Sequence, residues 1–338
     1  MKKRDILFIA LIVLAIVIPF SCTKTQSDKT ATGNSTEKQN SDKPGNPEKS
    51  GKFRIVTSIL PMYDIAENVG GDSVEVRNLL PPGGSPHTFE PSAEDAAAIE
   101  NADLMFVVGL GLDTWLEKLA KASGDKYDGK IIALSAGIQT IPLMEEASMG
   151  ESGEEHADEH KHEHGSEDPH IWMDPANMKK MAENARDALI AAKPELKDKF
   201  TANCDAYIKK LDALDKQYKE TLDQFSKKEF ISFHSFLGYT AKRYGMKQVA
   251  VIAADPGKEP DPQHIIKSIE ILKKHNVKVV FAEPQFSSKA SESIAKEIDG
   301  KVVNVDPMGS LSDIKRDTYI KNMEENLNSL VEAFRTEK

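Results

Sequence analysis

Glu195-LKDKFTANCDAYIKKLDALDKQYKETLDQ-Phe225 contains neither glycine nor proline. Phe200, Tyr207, Leu211, Leu214, Tyr218, Leu222 and Phe225 recur through it at helical spacing. A helix of ~31 residues would be ~46 Å long, enough to run beside two domains as a stiff connector. On both sides of it the chain repeats β then α, the pattern of parallel sheets covered by helices. Before it, strands are predicted at Phe53–Ile59, Val74–Leu80, Leu104–Val108 and Lys130–Leu134. A helix at Ser92–Asn101 opens with a serine cap and Asp95 three residues on. After it, strands are predicted at Glu229–Phe233, Gln248–Ile252, Val277–Ala282 and Lys301–Val305, with helices at Pro262–His275, Lys289–Ile298 and near Ile314–Phe334. The fold class is therefore α/β: an N-terminal lobe over 53–194, a linking helix over 195–226 and a C-terminal lobe over 227–338. Each lobe is a (β/α)4-type unit, and a rigid connector predicts that the lobes move little when a ligand binds.

The N-terminus speaks to location. Lys2, Lys3 and Arg4 precede an apolar run, Ile6 to Phe20, that is short for a membrane span. Ser21-Cys22 follows, and the whole resembles a bacterial lipoprotein signal over 1–22, in which cleavage before Cys22 accompanies its lipidation. An aliphatic residue is usual where Pro19 stands, and an ordinary secretory signal or an uncleaved anchor is the alternative. Each reading places the protein outside the cytoplasm. Residues 23–52 carry almost no large apolar side chain and read as a tether. The second cysteine, Cys204, falls in the helical pattern as a small packing residue; with Cys22 lipidated, no internal disulfide is possible.

The formal net charge is −10, much of it between Glu151 and Glu167. That stretch also holds His156, His160, His162 and His164, inside a loop assigned to 145–168. A solvated charge run accounts for its carboxylates. Four histidines point further, to an accessory metal-collecting loop. The acidic balance, with no basic patch interleaved with aromatics, gives nucleic-acid binding no support.

Ligands of parallel sheets collect beyond the carboxyl ends of the strands. There the sequence places His87 in PPGGSPHTFEP, His234 directly after Glu229–Phe233, Glu283 after Val277–Ala282 and Asp306 after Lys301–Val305. His170 lies in DPHIWMDP, ahead of a helix. Three imidazoles and a carboxylate from both lobes suit Zn²⁺, which takes four N, O or S ligands in a tetrahedron. Glu90, Asp168, Asp174 and Glu283 are candidates to hold the second ring nitrogen of each histidine. His264 and His275 read as helix-end residues, and Trp115 and Trp172 as structural, the latter near enough to the site to report on it.

PHTFEP, the acidic histidine loop with DPHIWMDP, FHSFLGYTAKRYG, EPDPQHI and VDPMG occur in this order. With them, the chain from about Phe53 onward resembles the metal-binding substrate-binding proteins of ABC importers, most closely the zinc branch. The resemblance implies metal held between the lobes by His87, His170 and His234, with Asp306 at or near the fourth position and water or Glu90 as alternatives there. Manganese-binding relatives usually carry Glu where His234 stands, which favours zinc. Some zinc-binding relatives have a disulfide in the C-lobe, and Cys204 has no partner for one. The implied activity is a monomeric, lipid-anchored receptor that delivers Zn²⁺ to an ABC permease. A manganese or mixed-metal receptor and a surface adhesin are the alternatives. A metallohydrolase would need an open metal position and a general base, and no HExxH-type motif is present.

Overall fold

Four short apolar runs form the first sheet: Phe53–Thr57 (β1), Val74–Asn78 (β2), Leu104–Val107 (β3) and Ile131–Ala133 (β4). All are parallel, in the order β2-β1-β3-β4, with Ile55 opposite both Val76 and Leu104. The central strand β3 is buried at every residue, as a strand covered on both faces must be. Edge strand β2 instead alternates, with Val74 inward and Glu75 and Arg77 outward. Glu229–Ser232 (β5), Lys247–Val251 (β6), Val279–Ala282 (β7) and Lys301–Asn304 (β8) repeat the topology as β6-β5-β7-β8. This is a computed structural model, and it describes residues 52–122, 124, 127, 129–144, 167–253 and 255–335. The expected signal, Cys22, nearly all of the tether and the stretch with His156, His160, His162 and His164 lie outside the described residues. No described helix is long and apolar enough to cross a membrane.

The helices are Leu60–Gly70 (α1), Ala93–Glu100 (α2), Thr114–Ala122 (α3), Pro175–Ala192 (α4), Lys197–Leu222 (α5), Gly238–Tyr244 (α6), Pro262–His275 (α7), Lys289–Glu297 (α8) and Tyr319–Arg335 (α9). Ser92 and Asp95 form the reciprocal capping box expected at the start of α2. The connector α5 has 26 residues, fewer than the pattern predicted. Pro194–Leu196 form a tighter 3-10 turn before it, and the chain turns after Leu222 to enter β5. Its length is ~39 Å. The last helix begins at Tyr319, later than Ile314, because 310–318 close into a loop: Ser310 N–H donates to the Arg316 carbonyl, and Ile314 stays 78% exposed.

Seven α5 side chains are buried, six of those the spacing named from Phe200 to Leu222 together with Cys204, while Phe225 lies past the helix end and is part-buried. At about 2 kcal/mol each they make the helix a major stabilising element. Two of them also carry hydroxyls that fix the helix to both lobes. Tyr207 donates to Asp64 Oδ2 in α1 at 2.6 Å, and Tyr218 donates to the Met323 carbonyl in α9 at 2.5 Å. One continuous core passes from Ile55 and Phe106 through Trp172 and Tyr207 to Phe281 and Phe334. Smaller cores lie outside it, around Val56 and Met105 in the first lobe and around Ile231 and Ile252 in the second. A shared core and a doubly fixed helix make the two lobes one mechanical unit. Cys204 is a buried packing residue, and burial pushes its thiol up to about 11, out of the reactive range.

Candidate metal centre

His87 stands in a proline-rich loop between β2 and α2. Gly83, at φ 77°, lets the chain turn, and Gly84 N–H closes on the Pro81 carbonyl at 3.0 Å. Ser85 Oγ then accepts from the His87 backbone N–H at 3.3 Å. Two residues on, the Phe89 ring packs edge-to-face on Trp115 of α3, 4.7 Å between centroids. The loop is thus anchored at both ends while His87 itself remains half-buried.

His170 is held far more tightly. Asp168 Oδ1 accepts from its backbone N–H at 2.9 Å and lies 2.8 Å from its Nδ1. The surrounding segment is fastened to the second lobe by four hydrogen bonds of 2.7–2.8 Å. Tyr239 donates to the Asp168 carbonyl, Thr240 to that of Met173, Tyr319 to that of Trp172, and Trp172 Nε1 to that of Pro307. His234 follows β5 directly, and Glu283, at the end of neighbouring β7, makes a short hydrogen bond to its Nδ1.

The three imidazoles meet. The Nε2 atoms of His87 and His170 are 3.3 Å apart, and those of His170 and His234 are 3.2 Å apart. Among the described residues this is the one group of His, Cys, Asp and Glu side chains whose ligand atoms converge as a metal requires. An imidazole that gives its Nδ1 hydrogen to a carboxylate keeps a bare lone pair on Nε2. With each Nδ1 hydrogen given to its carboxyl group, the Nε2 lone pairs of His170 and His234 would converge where a cation could sit. Burial pushes His234 down to about 4, so its ring is neutral and available as a ligand at ordinary pH. Burial also drives Glu283 well above the usual carboxylate range, with the Asp306 charge adding to the effect and His170 opposing it. The recess encloses ≈ 190 Å³ even with its open mouth counted. A recess this small suits a single ion.

Other expected residues are placed differently. Asp306 stands outside the cluster: its Oδ1 accepts from Gln285 Nε2 at 2.7 Å and from the backbone N–H groups of Met308 and Gly309. Glu90 is exposed and holds none of the three rings, because the chain at Phe89 turns toward Trp115. Asp174 is spent on capping α4 through Ala176 N–H and on an ion pair with Arg243 at 3.2 Å. His264 is buried against the Val251 carbonyl, and His275 closes α7, both apart from the cluster. Trp172 lies 5.3 Å from the His170 ring, as its proximity in sequence suggested. Sequence reasoning missed Tyr239 and Tyr319, whose hydrogen bonds cross between lobes, and Gln285, whose partner Asp306 follows the neighbouring strand β8.

Residues 55–333 match the family model for ZnuA, the periplasmic component A of the zinc-uptake complex. The zinc-binding lipoprotein AdcA of Streptococcus pneumoniae serotype 4 is 36% identical over 284 residues, 83% of this chain. This chain spans only 55% of that protein's length. The high-affinity zinc uptake system protein ZnuA of Bacillus subtilis is 34% identical, over 90% of this chain and 92% of its own. Among solved structures, the Zn(II)-bound ZnuA-like domain of Streptococcus pneumoniae AdcA superposes with a TM-score of 0.67 at 32% identity, covering 84% of this chain and 99% of that one. With the paired sheets, the long connecting helix and the histidine cluster already in place, these matches show that the chain belongs to the ZnuA family of zinc-uptake components.

Proposed function

We propose that this protein is the extracytoplasmic receptor of a zinc ABC importer. It captures one Zn²⁺ between its lobes with His87, His170 and His234 and passes it to a membrane permease, held at the membrane by lipid on Cys22. The observation that carries this reading is the spacing of the Nε2 atoms, 3.2 and 3.3 Å. Zinc–imidazole bonds of about 2.0–2.1 Å give a tetrahedron whose edges are about 3.3–3.4 Å. The donor set also favours zinc, because oxygen-rich sets suit manganese, magnesium or calcium better. The small recess supports a receptor for an ion, since hydrolysis would need space for a substrate beside the metal. The names of the relatives, zinc uptake and zinc-binding proteins, support the same cargo. His156, His160, His162 and His164 would gather metal at lower affinity.

Competitive titration of metal-free protein against a zinc chelator tests the proposal. One tight Zn²⁺ site per chain is expected, retained when residues 145–166 are deleted and resistant to excess Mn²⁺. Loss of tight binding with that stretch, or ready displacement by Mn²⁺, would refute it.

A further inference from the structure

Gln285 borders the recess beside Pro307 and Met308 and has not been accounted for. Its Nε2 donates to Asp306 Oδ1 at 2.7 Å. A carboxylate only accepts, so this contact fixes which way the amide faces. The opposite end, Oε1, is buried and has no hydrogen-bond partner. A buried amide oxygen left unmatched is destabilising, so its presence at the edge of the recess calls for an explanation.

We infer that Gln285 sets the fourth contact of the bound cation. Its Nε2, with the N–H groups of Met308 and Gly309, fixes Asp306 Oδ1 and keeps that oxygen off the cation. Its Oε1 accepts a hydrogen from a water that occupies the remaining position on the cation. The cation is then held by three neutral nitrogens and one exchangeable water. A carboxylate in that place would add charge and a hard oxygen, which favours manganese over zinc. Asp306 is itself firmly mounted, its carbonyl accepting from Asn322 and Asn326 at 2.8 and 2.7 Å, so the amide has a fixed point to brace against. Gln285 is in this account a positioning residue for Asp306 and for the water. The inference rests on the three-histidine reading above.

Cobalt substitution of residues 22–338, with Cys22→Ser, tests it. Wild-type protein should give the intense visible absorption of four-coordinate Co²⁺, and thiocyanate should shift that spectrum by replacing the water. Gln285→Met keeps the length of the side chain but removes both polar atoms. It should blunt the thiocyanate response and move the Zn²⁺:Mn²⁺ affinity ratio toward manganese by about tenfold. Adding Asp306→Asn should restore the ratio. Gln285→Asn, shorter by one methylene, serves as a second variant with the same expected direction, and melting of the metal-free chains checks folding. A Gln285→Met protein that keeps the wild-type spectrum, thiocyanate response and metal ratio would overturn the inference. So would a wild-type cobalt spectrum indifferent to thiocyanate. Failure of the wild-type histidines to take up Co²⁺ or Zn²⁺ at all would instead bring down the functional reading on which the inference stands.

Discussion

His170 and His234 face each other with Nε2 atoms 3.2 Å apart, although one belongs to the segment before α4 and the other follows β5. Each has a buried carboxylate at its other ring nitrogen, Asp168 for the first and Glu283 for the second. The shared core of the lobes sets the distance between the two nitrogens and places the rings as the proposed ion site requires.

The two carboxylates should matter almost as much as the rings they hold. Asp168→Ala and Glu283→Gln are each expected to weaken Zn²⁺ binding by about 10–100-fold. His87→Ala, His170→Ala or His234→Ala should weaken it further still. Chelator competition measures each loss, and circular dichroism of the metal-free variants separates it from unfolding.

Trp172 offers an optical readout. Its ring lies 5.3 Å from that of His170, and its Nε1 is hydrogen-bonded across the lobes to the Pro307 carbonyl. Zn²⁺ should change the tryptophan emission with a one-to-one end point, and Trp172→Phe should abolish the change. The same substitution leaves the Pro307 carbonyl without its donor, at a cost of about 1–3 kcal/mol in stability. Chemical denaturation would register that cost.

The connector should be structural only. Tyr207→Phe and Tyr218→Phe each remove one buried hydrogen bond, to Asp64 and to Met323 respectively. Each is expected to cost about 1 kcal/mol of stability and to leave zinc affinity unchanged within a factor of about two. Small-angle scattering should also show little difference between metal-free and zinc-loaded protein. A large change on loading would mean that the lobes move and that the doubly fixed helix does not hold them.

Asp64 gives the fold a pH dependence. Burial raises its carboxyl to about 6 from the ordinary 3.8, despite the hydrogen bond from Tyr207. Between those values the folded chain binds more protons than the unfolded one, so the stability contributed by the protonated group is lost as pH rises through about 6. At neutral pH the loss is at most about 3 kcal/mol. Asp64→Asn removes the titration and keeps an acceptor for Tyr207. Its stability relative to wild type should rise between pH 4 and pH 7.5 in metal-free protein. A difference constant across that range would show that Asp64 ionises normally.

The sequence revealed the architecture through periodicity, and that information is local. Every strand was found within two residues, because three to five β-favouring residues between turn signals leave few alternatives. The ends of α5 and α9 were overextended, since helical spacing continues through Phe225 and Ile314 while the chain there must turn toward the next element. His87, His170 and His234 were legible as residues at strand ends and in proline-flanked turns. What holds them was only partly so. Asp168 sits two residues from His170 and could be named, whereas Glu90, three residues from His87, turns away. Gln285 meets Asp306 only once β7 and β8 are side by side, and no spacing in the chain announces it.

Diffraction from zinc-loaded crystals, recorded on both sides of the zinc absorption edge, tests the central claim most directly. The account predicts one strong anomalous peak per chain, about 2.0–2.1 Å from the Nε2 atoms of His87, His170 and His234. A fully loaded protein whose peak lies elsewhere, or that leaves any of these three nitrogens out of contact with zinc, would contradict it.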